Sequence, residues 1–184
     1  MSRIRKTNQQ KILLEQDVRI FRTSDLAVLW ETENKNTLWT TIRRYIQRRI
    51  LYKIHKGLYS TMPLEKLNKF ELGCAISGQL SYVSAETVLQ NSGIIMQNLT
   101  QITIFGKKKK QFEINGISYL CRHLNNKYLL NREGIEDGQQ FSMAIPERAM
   151  ADMLYINSQY FFDNELSINK NKLTSITKEV GYQC

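Results

Sequence analysis

Two sets of side chains in this sequence could do chemistry. The first is acidic. Glu86, Glu113, Glu147 and Asp152 invite a metal reading, because paired carboxylates hold Mg²⁺ and would serve phosphodiester hydrolysis. The second is polar and basic. Asn36, Thr37, Thr40, Arg43, Arg44 and Gln47 fall within one short stretch. Asn and Gln pair bidentately with adenine in a DNA major groove, and Arg pairs with guanine.

Spacing weakens the first set. Glu147 follows Pro146 in what reads as the first turn of a helix, where an acid simply complements the helix dipole. Asp152 lies five residues on, about 140° around the helix, so the two share no face. Glu86 also sits in an expected first turn. His55 and His123 are isolated, and no nucleophile–base pairing is in view. Cys74, Cys121 and Cys184 are odd in number and far apart, without Cys-x-x-Cys or Cys/His ligand spacing. The reading is therefore no catalytic residue, no metal and no cofactor. A reduced, cytoplasmic setting is expected.

The second set needs a helix to present it. Laying residues 36–49 out at about 100° each puts Leu38, Ile42, Tyr45 and Ile46 on one side. Asn36, Thr40, Arg43, Arg44 and Gln47 fall opposite, with Thr37 at the edge and no acid among them. Asn36 is the expected cap of a helix Thr37–Arg49. Arg48 and Arg49 also complement a helix C-terminus, so they carry less of the argument than mid-helix Arg43 and Arg44. Leu51–Thr61 then alternates and turns at Lys56-Gly57, where glycine supplies a positive φ. Lys53, His55 and Lys56 would sit on or near the tip, within reach of phosphates or a minor groove. Upstream, the pattern predicts a helix Lys6–Gln16 with Ile12 and Leu13 inward. An extended stretch at Val18–Phe21 follows, then a helix Asp25–Glu31 capped by Thr23 or Ser24. Helix, helix, helix and hairpin make a winged helix-turn-helix, with the third helix as reader and the hairpin as wing.

Charge agrees with that division. Residues 1–63 hold 13 Lys/Arg against 5 Asp/Glu, and residues 64–184 hold 13 against 12. The net +9 of the chain is therefore almost all in the first third, which points to a polyanion as partner. The basic start is followed by no apolar stretch, so it is not a secretory signal. No apolar run approaches the roughly 18–20 residues needed to cross a bilayer.

Residues 64–184 read as a second domain, a small α+β unit with an antiparallel sheet. A helix Leu64–Gln79 carries Leu67, Phe70 and Cys74 inward. Ser84 caps a helix Ala85–Asn91, stopped by Gly93. Strands follow at Leu99–Phe105, Gln111–Ile114 and Ile117–His123, the last two joined by a type I′ turn at Asn115-Gly116. Ser142–Ile145 is a fourth strand. Pro146–Asn157 is a helix with Ala149, Met150, Met153 and Leu154 on one stripe, and Leu166–Val180 holds one or two terminal helices. Lys107, Lys108, Lys109 and Lys110 make the one charge run. It reads either as a solvated hairpin loop or as a second patch for phosphate or an acidic partner face.

Several signatures then occur in order. The hairpin ends in Lys56-Gly57-Leu58-Tyr59. Next come Tyr82-Val83-Ser84-Ala85-Glu86-Thr87-Val88-Leu89 and Gly93. A strand, Ile102-Thr103-Ile104, leads through a basic turn to Phe112-Glu113. Last is Ile145-Pro146-Glu147-Arg148-Ala149-Met150-Ala151-Asp152-Met153-Leu154. This order resembles the AbiEi family of antitoxins, regulators of bacterial abortive-infection (type IV) toxin–antitoxin operons, over roughly residues 5–160. The resemblance implies an operator-binding repressor that autoregulates its promoter and counteracts a nucleotidyltransferase-type toxin. It also implies DNA contacts at Asn36, Thr37, Thr40, Arg43, Arg44, Lys53 and Lys56. Gln47, Arg48 and His55 join them on position. The alternatives are a Mg²⁺-dependent nuclease docking through the same helix, and a non-catalytic protein-interaction module.

Overall fold

The structure is a computed structural model and describes residues 9–182. The chain divides into two compact units, the first ending at Asn68 and the second beginning at Lys69. The boundary lies beyond the expected 63/64. Leu64–Lys66 form a 3₁₀ turn and Leu67 is buried, and the division places these residues in the first unit.

In the first unit, residues 9–14 are helical (α1). Residues 6–8 of the expected first helix lie outside the described residues. Strand β1 (Ile20–Arg22), helix α2 (Thr23–Leu29), helix α3 (Lys35–Gln47) and the hairpin β2 (Tyr52–His55) and β3 (Leu58–Ser60) follow. The three strands form an antiparallel sheet in the order β1-β3-β2. Val18 is exposed ahead of β1. Leu13, Phe21, Leu26, Trp30, Leu38, Ile42, Tyr45, Leu51 and Tyr59 make one core. Trp30 meets Tyr45 edge-on at 5.3 Å between ring centroids and donates Nε1–H to the Gln9 carbonyl at 3.2 Å.

The second unit is built on α4 (Lys69–Ser77), β4 (Tyr82–Val83), α5 (Glu86–Asn91), β5 (Gln101–Gly106), β6 (Lys110–Ile114), β7 (Ile117–His123), α6 (Asn126–Leu130), β8 (Ile135–Asp137), β9 (Ser142–Ala144), α7 (Pro146–Ile156) and α8 (Lys170–Val180). Its six strands run β6-β7-β5-β4-β9-β8. The chain is α+β, as the sequence predicts, but this sheet is mixed rather than antiparallel: β5–β7 and β4–β9 are parallel pairs. The Asn115-Gly116 turn does join β6 to β7, with both residues at positive φ. The unexpected step is that β7 inserts between β5 and β6.

Two further expectations are corrected. The helix foreseen over Leu64–Gln79 is broken, and α4 starts only at Lys69. Ser84 does not cap α5. Ala85 takes that place at φ 51°, ψ −133°, and the Ser84 hydroxyl instead donates to Asp152 Oδ2 at 2.7 Å. Gly93, at φ 68°, does stop α5: the Ile94 N–H returns to the Leu89 carbonyl at 2.9 Å, as a left-handed C′ residue requires.

Candidate nucleic-acid interface

The geometry of α3 begins with its cap. The Asn34 carboxamide oxygen accepts from the backbone N–H groups of Asn36 at 2.9 Å and Thr37 at 3.1 Å. Asn34, not Asn36, is therefore the N-cap, and the helix starts two residues earlier than expected. The Asn36 side chain is released to the exposed surface. At the other end Arg49 adopts φ 56° and the Ile50 N–H reaches the Tyr45 carbonyl at 2.9 Å, which closes the helix before the hairpin.

Between those ends, Leu38, Thr41, Ile42 and Tyr45 are buried. Asn36, Thr37, Thr40, Arg43, Gln47 and Arg48 are exposed. Arg44 stands apart from them. It is half-buried, its guanidinium lies 5.5 Å from the Tyr45 ring centroid, and its Nε is fully covered. Burial raises the Tyr45 phenol above its ordinary range, and the charges of Arg44 and Arg48 pull it back. Arg44 thus packs along the flank of α3, whereas Arg43 projects from the polar face.

The hairpin is held to the same unit at its tip. Gly57 has φ 76°, and the Thr23 N–H donates to its carbonyl at 3.0 Å. Thr23 is the first residue of α2 rather than its cap, and the Arg22 N–H is taken by the Asp25 carboxylate at 2.8 Å. Lys53, His55 and Lys56 are exposed, and the register slips between Lys53 and His55. A bulge there adds twist to the strand. The first unit therefore carries an acid-free polar helix face and a basic hairpin. Sequence reasoning passed over Trp39, which is 48% exposed on α3. It also missed Asn34 and the tie from Thr23.

The run Lys107, Lys108, Lys109 and Lys110, expected as either a solvated hairpin loop or a second patch, is split. Lys107, Lys108 and Lys109 are exposed, and they connect β5 to β6 past the position that β7 fills. They are therefore no hairpin loop, since β5 and β6 are not neighbours. Two strand spacings are about 10 Å, and the connection crosses them with bends at Lys107 and Lys108. Lys110 lies in β6 instead. Its ammonium donates to the Ile76 carbonyl in the last turn of α4 and sits 5.4 Å from the Phe112 ring centroid. That leaves Lys107, Lys108 and Lys109 as the solvent-facing part of the run, with Lys110 committed to the fold.

The four carboxylates scatter. Glu86 pairs with Arg122, Glu147 lies 3.9 Å from Lys172, and Glu113 is exposed on β6. Asp152 is wholly buried with Arg148, whose Nε donates to Asp152 Oδ1 at 2.8 Å. The hydroxyls of Tyr82, Ser84 and Tyr182 also donate to this carboxylate. The rest of the Arg148 guanidinium is taken by the carbonyls of Tyr128, Asn131 and Glu133. Burial alone would depress the guanidinium pKa, but the Asp152 charge and the phenols of Tyr82 and Tyr182 more than offset it, so it is raised. Among the described residues no group of three or more His, Cys, Asp or Glu side chains is arranged to hold a metal ion. Nor is any helix among them long and apolar enough to cross a membrane.

No family model matches the chain, and no curated protein matches it. Among solved structures, the RV2827C protein from Mycobacterium tuberculosis is similar to it with a TM-score of 0.52 at 9% identity, covering 93% of this chain and 70% of that one. At that identity the likeness is one of fold.

Proposed function

We propose that this chain is a sequence-specific DNA-binding repressor whose first unit is a winged helix-turn-helix. Helix α3 enters a major groove and the β2–β3 hairpin contacts the backbone alongside. The observation that carries this reading is the exposed face Asn36, Thr40, Arg43 and Gln47, free of acids, in one unit with exposed Lys53, His55 and Lys56. A face that only needed solvation would mix both signs of charge. Arg43, rather than half-buried Arg44, is the arginine suited to guanine. The ordered signatures resembling AbiEi antitoxins extend the proposal to an autoregulated toxin–antitoxin operon in the cytoplasm, with a nucleotidyltransferase-type toxin as the protein counteracted. The reading assigns the protein no catalysis of its own; Glu86 and Asp152 pair with Arg122 and Arg148, and Glu147 lies 3.9 Å from Lys172, each carboxylate beside a different cation.

Gel shifts with DNA from upstream of its own reading frame test this. Binding should weaken steeply with salt, as phosphate contacts demand. Arg43→Ala should cost roughly 1–3 kcal/mol on the operator and relax preference at one position, while Lys56→Ala should weaken all sequences alike. Equal losses on operator and random DNA for Arg43→Ala would remove the base-reading role. Cleavage of plasmid in Mg²⁺ by pure protein would overturn the non-catalytic reading.

A further inference from the structure

Helix α3 carries one large apolar side chain outside its buried stripe. Trp39 is 48% exposed, while Trp30, the other tryptophan of the chain, is 6% exposed. Trp39 lies about 100° around the helix from Leu38, at the edge of the core-facing side and about 20° from Ile46. Residues three and four apart on a helix are surface neighbours. The neighbours of Trp39 by that rule are buried Ile42 on one flank and exposed Lys35, Asn36 and Arg43. An indole held half in water forfeits much of the stabilisation its burial would give. Its place beside hydrogen-bonding side chains, on a helix with no acid from Lys35 to Gln47, suits a partner surface that is anionic overall and apolar at one point.

Duplex DNA has such a surface. The edges of the bases in the major groove present donors, acceptors and a single apolar group, the C5 methyl of thymine. Asn36 and Arg43 can satisfy donors and acceptors, but neither recognises a methyl. We infer that Trp39 packs its ring against a thymine methyl next to the bases read by Asn36 and Arg43, and so requires thymine at one position of the site. The inference rests on the reading of α3 as the DNA-entering helix.

The test uses the full chain. A binding site is first selected from random duplex DNA, and each thymine in it is then replaced in turn by deoxyuridine, which lacks only the methyl. The wild type should lose about fourfold in affinity at one position of the site bound by each α3, the value of one buried methyl. Trp39→Gln should bind the unmodified site roughly tenfold more weakly, as expected on losing a base contact, and be indifferent to deoxyuridine at that position. Trp39→Phe should keep part of the penalty. Indole emission should shift on DNA binding in the wild type and not in Trp39→Phe, where only buried Trp30 remains. An undiminished deoxyuridine penalty in Trp39→Gln, or no penalised thymine in the wild type, overturns the contact while leaving the repressor reading intact. Failure to select any DNA overturns both.

Discussion

Asp152 has no exposed surface, and the groups around it all donate: one guanidinium N–H and three hydroxyls point at it. Such a pair is costly to desolvate, and its net worth against an apolar replacement is small. Breaking it is another matter. Asp152→Ala would leave the Arg148 charge buried and unpaired, and should destabilise the protein by about 3–5 kcal/mol, read as a lowered urea midpoint. Tyr182→Phe removes a hydroxyl that donates to Asp152 and accepts from Arg148, and should cost about 1–2 kcal/mol in the same assay. DNA affinity at a permissive temperature should be unchanged in Tyr182→Phe, because the network lies in the second unit. The sequence displayed Glu147 and Asp152 as carboxylates on one helix without a common face. It could not display Tyr82, Ser84 and Tyr182, which reach Asp152 from distant points in the chain.

Helix α3 depends on a cap that sits outside the basic stretch it serves. Asn34→Ala removes the acceptor for two N–H groups and should cost about 1 kcal/mol, seen as a lower melting temperature together with weaker DNA binding. In the second unit, α4 approaches the sheet through Gly73. A Cβ there would lie 2.6 Å from Ile104 Cδ1 and 2.6 Å from Tyr119 Cε1. Gly73→Ala should therefore destabilise by about 1–3 kcal/mol through overpacking, again by urea titration. At this scale the sequence was informative where a local rule acts. The period of residues 36–49 gave α3, Gly57 and Asn115-Gly116 gave the two tight turns, and Pro146 gave the start of α7. It was silent where pairing is remote. Strands β4 and β8 have two and three residues, too few to show alternation. Nothing local states that β7 lies beside β5, so the parallel pairs were missed, and with them the division of Lys107, Lys108 and Lys109 from Lys110. The exposed polar face was legible for the same reason as α3 itself, whereas the burial of Arg44 follows from its packing on Tyr45.

Alkali should separate the two units. In the second, burial raises the Cys74 thiol to about 12 and the Tyr119 phenol to about 12, and it raises Tyr82 and Tyr182 as well, helped by the Asp152 charge. All four are neutral when folded. Once unfolded, the thiol ionises near pH 9.0 and the phenols near pH 10.0. The unfolded state therefore loses protons first, and stability that is complete below pH 9.0 should be lost as pH rises toward about 12. Calorimetric scans from neutral pH upward should show the second unit's transition falling well before the first's, where Tyr45 is the raised phenol among the described residues. Tyr119→Phe should flatten that fall.

The Arg148–Asp152 network also has an order in time. Its members enter the chain at Tyr82, Ser84, Arg148, Asp152 and finally Tyr182, and Val83 waits for Met143 to pair beside it. During synthesis the Arg148–Asp152 pair therefore cannot gain its full set of partners until Tyr182 has left the ribosome. The first unit needs nothing beyond Asn68 to close its sheet. A ribosome stalled once the first unit and β5 have emerged should display a protease-resistant first unit and a second that is still digested.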